Sequence, residues 1–222
     1  MRALFNLLLL IAIGTLAYLC VTSIISPIHF NKGKEMREAM VIKQLENIRK
    51  AEIVFRNRFG HYTANADSLI QFIKYGKLPV IEKQGFLNEE QLRSGLTEKK
   101  AMKIINSGNL SEIKKYNLEH FRRDTAYVNI SDSLFDKGFS ADSLLIVPGT
   151  DKMFELETGE IITASGYPVK LFEARTPYEV YLDGLDKQSI VNLRDIAEKR
   201  GKYPGLKVGS VVEINNNAGN WE

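Results

Sequence analysis

The hydrophobic positions of this chain begin with one long run near the N-terminus. Residues 3–25 carry no charged side chain, and only Asn6, Thr15, Thr22 and Ser23 are polar. As an α-helix these 23 residues would extend about 34 Å, which covers a bilayer core of roughly 30 Å. The run is longer than the apolar core of a cleaved signal peptide and lacks an Ala-x-Ala cleavage site, so it predicts a retained transmembrane signal anchor.

A pattern with helical periodicity follows the apolar run. Over residues 31–60, apolar residues recur at spacings of three, four or seven on one side of a helix, while Lys43, Lys50 and Asn57 fall on the opposite side. This predicts an amphipathic helix that ends at Gly60. A kink or short break at Pro27, which lacks an amide donor, is expected to separate it from the anchor at residues 1–30. The predicted seam for packing against a sheet consists of Val41, Leu45, Ile48, Phe55 and Phe59.

One carboxylate interrupts the predicted seam. Glu52 falls in the middle of the apolar face, where an unpaired charge is costly to bury. Two arrangements can satisfy it: an ion pair with Arg49 or Arg56, or hydrogen bonds from the backbone of the segment that covers the helix. We expect the ion pair. No second carboxylate or base stands at a spacing that would make Glu52 a catalytic acid.

The remaining chain divides into a helical part, residues 61–122, and a mainly β part, residues 123–222. Short helices are predicted at 69–74 and within 88–116, with Asn88, Thr97 and Ser111 as N-caps and residues 78–81 extended. A helix near 187–200, capped by Asp186, is predicted before a last strand at 206–214. The other predicted strands are 127–130, 144–147, 153–156, 160–163, 169–172 and 179–182, with a hairpin turn at 157–160.

These elements define the expected fold class. It is α+β, with an N-terminal transmembrane helix that continues into a long amphipathic helix packed by a C-terminal antiparallel sheet. The number of residues outside the apolar run suits one globular domain of ordinary size.

Composition and charge restrict the classes of function. Lys and Arg number 30 against 27 acids, so the net charge of +3 gives no footprint for nucleic acid. Cys20 is the only cysteine and lies in the predicted anchor, and the three histidines stand at no metal-binding spacing. No phosphate-binding glycine loop or Gly-x-Ser-x-Gly elbow occurs. We therefore expect a protein that is not an enzyme and has no cofactor, metal or evident small-molecule substrate.

The order of the N-terminal elements resembles a known family. A membrane helix, an amphipathic continuation carrying Ala51-Glu52, the stretch Phe-Gly-His-Tyr at 59–62 and a later sheet are similar to type IV pilins and the pseudopilins of type II secretion. The closing Asn-Ala-Gly-Asn-Trp at 217–221 is similar to the end of some major pseudopilins. The resemblance implies a helix that anchors the subunit and then packs inside a helical filament. Prepilins have a short basic leader that ends in Gly just before the apolar helix, and a Glu at the fifth position of the mature chain. This sequence departs from that pattern, because Met1-Arg2 leads directly into the apolar run.

A recurring triplet indicates where in the cell the protein is located. Asp, then Ser or Thr, then an apolar residue resembles the O-glycosylation signal of Bacteroidota, and the chain as a whole is similar to membrane-anchored proteins of that phylum. Four matches among nine aspartates exceed the roughly one half expected from average composition. The resemblance implies periplasmic glycan attachment, while Asp-Ser pairs are also common in caps and turns, and both interpretations stay open. The candidate O-glycosylation residues are Ser68, Thr125, Ser133 and Ser143.

Together these patterns predict a single-pass inner-membrane protein with a periplasmic C-terminal domain. Lys32, Lys34 and Arg37 follow the apolar run and favour the opposite orientation, but long exported domains cross membranes largely regardless of charge. The leading expectation is a non-enzymatic, pilin-like or pseudopilin-like subunit of an envelope assembly. Its expected partners are the membrane and either other envelope proteins or further copies of itself. The alternative is a monomeric anchored binding module or adaptor of the cell envelope, and an enzyme ranks third.

Overall fold

The computed structural model describes residues 2–222, without the side chains of residues 2–4, 17, 19, 21, 22 and 24. Its longest element is the helix α1 (Arg2–Phe59). The helix is continuous through Pro27, so the break expected there is wrong. Proline removes a single backbone donor, and the turns on either side keep their hydrogen bonds. α1 ends where Gly60 adopts a φ of 80° and its amide bonds the carbonyl of Arg56 over 2.7 Å, as a left-handed helix stop does.

The chain forms two compact units. We call the first, which comprises the chain up to Phe72 together with Gly138–Glu222, the helix–sheet unit. We call the second, Ile73–Lys137, the ribbon unit. The helix α2 (Ala66–Tyr75) runs across the boundary between them in sequence.

The ribbon unit is built on two antiparallel strands. β1 (Lys77–Gln84) pairs along its whole length with β2 (Arg122–Asn129). Between them lie α3 (Glu89–Arg93), α4 (Glu98–Ser107) and α5 (Leu110–Lys115), and α6 (Ile130–Leu134) follows β2. Asn88 and Thr97 cap α3 and α4 as predicted, but Asn109 caps α5 instead of Ser111. The small core of this unit contains Leu96, Ala101, Leu118 and Phe121.

The helix–sheet unit contains a three-stranded antiparallel sheet in the order β3-β4-β5. Its strands are β3 (Glu155–Ile162), β4 (Pro168–Pro177) and β5 (Gly205–Gly209). α7 (Tyr178–Tyr181) and α8 (Lys187–Lys199) connect β4 to β5, and Asp186 caps α8 by accepting a hydrogen bond from the amide of Ser189. The expected α+β class with a long helix and antiparallel sheets is therefore confirmed at this level.

Several predicted strands differ from the structure for identifiable reasons. Residues 157–160, expected as a hairpin turn, lie inside β3, and the chain instead turns at 163–167, where Thr163 donates its amide to Tyr167 over 2.9 Å. Residues 179–182, expected as a strand, instead belong to α7 (Tyr178–Tyr181) and its C-cap Leu182, because β4 ends at Pro177 and the chain starts a helical turn after it. The expected strand at 144–147 is reduced to a single bridge between Ile146 and Met153. The last strand, expected over 206–214, stops at Gly209, which adopts a φ of 75°.

The core of the helix–sheet unit forms where α1 meets the sheet. β4, β5 and α7 all contact the second half of α1. Phe172 on β4 and Val208 on β5 are buried within this unit, and so is Tyr181 on α7. Nearer the middle of α1, Leu185 lies close to Gly33: a Cβ atom added to this glycine would be 3.1 Å from the leucine side chain.

Candidate assembly surfaces of the long helix

The first half of α1 is apolar and uncovered. Every described side chain between Phe5 and His29 is exposed, including Leu10 at 67 % and Leu16 at 63 %. Apolar side chains of this size are normally buried in a soluble monomer, and a contiguous exposed apolar surface marks a membrane or protein contact. The described side chains of this part of α1 therefore form an apolar surface that no other described part of the chain covers.

Across the described residues alone, no helix combines the length and the mean hydropathy needed to cross a bilayer. The expected span at 3–25 includes positions 3, 4, 17, 19, 21, 22 and 24, whose side chains lie outside the described part of the chain.

The second half of α1 carries the covered face. Val41, Leu45 and Ile48 are completely buried and Phe55 is nearly so. Phe59 differs, because 52 % of it is exposed and it lies at the end of the helix. Its ring instead joins Phe55 and Phe72 in an aromatic cluster, with centroids 4.6 and 5.4 Å away. We therefore assign Phe59 to the margin of the packing surface and not to its buried seam.

Glu52 is buried in the same face and is satisfied by backbone. Its Oε2 accepts a hydrogen bond from the amide of Thr63 over 3.1 Å, while Oε1 is buried with no partner in the described chain. The expected ion pair is wrong, because Arg49 donates to Glu222 over 2.6 Å and Arg56 donates to the hydroxyl of Tyr62 over 2.9 Å. Burial raises the pKa of Glu52 to about 7, and the Thr63 hydrogen bond opposes that rise.

The C-terminal segment, residues 215–222, is fastened onto α1. Arg49 donates to the carbonyl of Asn217 and to the carboxylate of Glu222, whose pKa is lowered mainly by that hydrogen bond. The Asn217 amide donates to the hydroxyl of Tyr62 over 3.1 Å. Asn216 and Asn217 adopt positive φ, which asparagine tolerates better than most residues. No local sequence pattern indicated that this segment contacts the helix.

The uncovered side of the second half of α1 mixes apolar and basic groups. Met36 and Met40 are exposed large apolar residues one helical turn apart, and Lys50 and Asn57 are also exposed. Sequence reasoning identified Lys50 and Asn57 as the opposite face but missed the two methionines. The sequence feature that could have identified the two methionines is their spacing of four residues, which places them on the same side of the helix as Lys43 and Lys50.

The four candidate glycan acceptors are all exposed and lie on four different elements. Ser68 lies in the first turn of α2, and Ser143 ends a short 3-10 helix (Ala141–Ser143), both in the helix–sheet unit. Thr125 lies on β2 and Ser133 on α6 of the ribbon unit. The hydroxyl of Ser143 donates to the carbonyl of Ser140 over 2.8 Å, which is the local turn chemistry that Asp-Ser sequences favour. Surface position is compatible with modification at each acceptor.

Charged groups in the helix–sheet unit are arranged in pairs. Glu173, a buried carboxylate on β4, accepts hydrogen bonds from Arg175 over 3.0 Å and from Lys207 over 2.9 Å. Arg175 also donates to Glu155 over 2.9 Å, and hydrogen bonds to these carboxylates raise its pKa further. Within the described residues, no group of three or more His, Cys, Asp and Glu side chains could hold a metal ion. These ion pairs link β4 to the neighbouring strands β3 and β5.

Comparison with known protein families, curated proteins and solved structures found no match for this chain. Its function is therefore inferred from the placement of its own residues.

Proposed function

We propose that this chain is a non-enzymatic, membrane-anchored subunit of an envelope assembly, pilin-like or pseudopilin-like, with its C-terminal domain in the periplasm. The observation that carries the proposal is the division of α1. Its first half exposes apolar side chains throughout, and its second half is covered on one face by β4, β5 and α7. This division matches what the resemblance to pilins implies for an anchoring helix that continues into a globular head.

The energetic argument concerns the exposed half of α1. Fully burying a large apolar side chain stabilises it by about 1.5–3 kcal/mol relative to water. Phe5, Leu10, Ile13 and Leu16 are among the exposed side chains, so leaving this half in water would be strongly unfavourable. A bilayer before assembly and the helices of neighbouring subunits afterwards would both remove the penalty. The same surface can therefore serve anchoring and assembly in turn.

The proposed orientation rests on the size and the sequence of the globular part. Nearly all of the polar chain follows the apolar run, and domains of this length cross membranes largely independently of flanking charge. The four exposed sequon-like triplets support a periplasmic location in an organism that uses such signals. Protease accessibility in spheroplasts tests the orientation, because a periplasmic domain should be cleaved in intact spheroplasts. Cleavage only after lysis would place the C-terminal domain on the cytoplasmic side instead.

The function is tested by the oligomeric state of the intact protein in mild detergent. Cys20, the only cysteine, is exposed on the apolar half of α1, so a short bismaleimide reports whether these helices approach one another. A pilin-like subunit should give covalent dimers and higher oligomers, and Cys20→Ser should abolish them. A protein that runs as a monomer and forms no cross-link through Cys20 would exclude the proposal.

A monomeric anchored binding module is the second candidate. The ribbon unit favours it, because Phe86 and Tyr127 are large apolar residues exposed outside the covered face of α1. In that case the detergent-solubilised protein should be monomeric in the absence of its partner, and substitutions on the exposed face of α1 should leave its behaviour unchanged.

A further inference from the structure

The two strands of the ribbon unit direct alternate backbone groups outward. The amide of Ile130 donates to the carbonyl of Gly76 over 3.0 Å, one position beyond the first pair of the ladder. Hydrogen-bonded and non-hydrogen-bonded pairs alternate along an antiparallel ladder, so every second residue from this pair onward bonds across the ribbon. The residues between them point their N–H and C=O groups away from the partner strand. The outward residues are Lys77, Pro79, Ile81 and Lys83 on β1, and Arg123, Thr125, Tyr127 and Asn129 on β2.

The two outer edges differ in their protection. On β1, Pro79 has no amide to donate and stands between Lys77 and Ile81, which is a common way to block strand addition. On β2, all four outward residues have amides. In the described chain, no backbone or side-chain group from outside the ribbon bonds to the backbone of Thr125 or Tyr127. The edge of β2 is thus the one that can accept another strand.

The ribbon also exposes apolar side chains that a larger sheet would cover. Tyr127 is 67 % exposed and Ile81 is 59 % exposed, and both lie on the same face of the ribbon. An isolated pair of strands is marginal in water, whereas three or more strands with an apolar face are stable. An additional strand would therefore stabilise this unit.

We propose that the edge of β2 pairs in antiparallel orientation with β2 of a second copy, giving a four-stranded sheet in the order β1-β2-β2-β1. This goes beyond the proposed function, because the surface uses no residue of α1. The charges of β2 are self-complementary in this arrangement. Arg122, Arg123 and Asp124 lie at one end, residues 125–129 are uncharged, and antiparallel pairing sends the charged ends to opposite sides.

The register follows from the outward groups. Centring the two-fold axis on Ala126 maps the four outward residues onto themselves. Thr125 then pairs with Tyr127 of the second copy, and Arg123 pairs with Asn129 of the second copy. Every outward amide and carbonyl of the edge is used, and no like charges stand opposite each other.

Cysteine cross-linking of the full-length protein tests this register. In a Cys20→Ser background, Ala126→Cys would place two cysteines across the axis in a non-hydrogen-bonded pair, with Cα atoms about 4.5 Å apart and within disulfide reach. The matched control is Val80→Cys, the cross-strand partner of Ala126 on β1. Its counterpart would stand three strand spacings away, roughly 14 Å. We expect an oxidised dimer from Ala126→Cys only; equal yields, or no dimer from either, would overturn the proposal.

Proline substitution tests the edge independently of disulfide chemistry. Thr125→Pro removes an outward amide of β2, and Ile81→Pro removes the outward amide of the residue opposite it on β1. Because each copy loses one inter-strand hydrogen bond, Thr125→Pro should raise the dimer dissociation constant about tenfold or more. Ile81→Pro should leave it unchanged, with circular dichroism checking that both variants fold. Equal weakening, or none in either variant, would refute the edge pairing, and should Thr125→Pro fail to fold, the cysteine pair decides.

The two assembly surfaces can be separated in one preparation. Cross-linking through Cys20 reports contacts between α1 helices, so it should persist in Thr125→Pro if the proposed function is right. A Cys20 cross-link without an Ala126→Cys dimer would contradict the β2 edge pairing and leave the proposed function standing. Purification of a different protein with its strand on this edge, in place of a second copy, would also overturn the self-pairing.

Discussion

The amide of Thr63 donates a hydrogen bond to Glu52 Oε2 over 3.1 Å, across the end of α1. This contact fastens the segment after Gly60 back onto the covered face of the helix. It also leaves Oε1 of Glu52 buried and without a partner in the described chain. Burial in such an environment shifts the equilibrium of the carboxyl group toward its protonated form.

The stability of the helix–sheet unit should therefore depend on pH through Glu52. Its pKa is 4.5 in the unfolded reference and about 7 in the fold, because burial disfavours the charge. Between these values the folded state keeps a proton that the unfolded state has released, so unfolding becomes easier as the pH rises. The contribution is intact below about pH 4.5 and is lost by about pH 7, and the loss amounts to at most about 3 kcal/mol.

Urea unfolding of wild type and Glu52→Gln at pH 5 and pH 8 measures the pH-dependent contribution of Glu52 to the free energy of unfolding. Glu52→Gln should remove the Glu52 part of the difference between the two pH values, because the amide does not titrate. Glu35→Gln, on an exposed position of the same helix, provides the control and should leave the pH dependence as in wild type. A pH dependence that is identical in wild type and Glu52→Gln would show that the carboxyl titrates normally.

Gly209 should be the more sensitive of two glycines with similar backbone conformations. Gly209 and Gly201 have φ of 75° and 65°. A methyl group at Gly209 would clash with the carbonyl oxygen of Phe172, whereas one at Gly201 would meet nothing within 4 Å. Because both substitutions carry the same conformational strain, Gly209→Ala should cost about 1–3 kcal/mol more than Gly201→Ala in the free energy of unfolding. Equal costs would mean that β5 can move away from β4.

The parts of this fold that depend on local periodicity could be predicted from the sequence. The buried positions Val41, Leu45 and Ile48 follow from spacings of three and four residues, since one helix face determines them. The pairing of Tyr127 with Pro79 is different, because the partner lies far away in sequence and no local pattern specifies it.

Local signals also misplaced elements whose conformation depends on tertiary contacts. The Thr-Gly sequence at 158–159 is typical of a turn, yet it continues β3, where Thr158 pairs with Phe172 and Gly159 with Leu171. For the Glu52 site, the sequence could indicate that a partner was needed but not which one. Arg49 and Arg56 were the nearest candidates along the helix, and both are engaged by residues that approach only after folding.

Mass spectrometry of the protein from its native host tests the glycan acceptors. We expect glycan on at least Ser133 or Ser143, since both hydroxyls lie at the surface within Asp-Ser-Leu triplets. Substitution of each serine by alanine should remove the corresponding mass and, away from the core, should change stability by no more than about 0.5 kcal/mol. An intact mass equal to that of the unmodified chain would leave these triplets as turn sequences.

Charges placed in the exposed apolar half of α1 should release the protein from membranes. Lysine at the centre of an inserted helix costs about 2.5–3.5 kcal/mol, so Ile13→Lys together with Leu16→Lys should strongly reduce retention after a carbonate wash. Met36→Lys with Met40→Lys adds the same charge on exposed positions after the apolar run and should leave retention unchanged. Neither pair should unfold the globular part, because all four side chains are exposed. Undiminished retention of the Ile13 and Leu16 variant would argue against anchoring by this helix.

The two faces of the second half of α1 should separate folding from assembly. Leu45 is completely buried, so Leu45→Ala should lower the free energy of unfolding by about 2–5 kcal/mol. Lys50 is exposed, so Lys50→Ala should change it by no more than about 0.5 kcal/mol. Urea unfolding of a chain beginning at Asn31 gives this comparison. In a filament subunit, Lys50→Ala or Asn57→Ala should impair cross-linking through Cys20 in the intact protein without lowering stability, whereas a monomeric module should be indifferent. If Leu45→Ala unfolds no more easily than Lys50→Ala, the helix does not depend on the sheet, and the pilin-like arrangement is wrong.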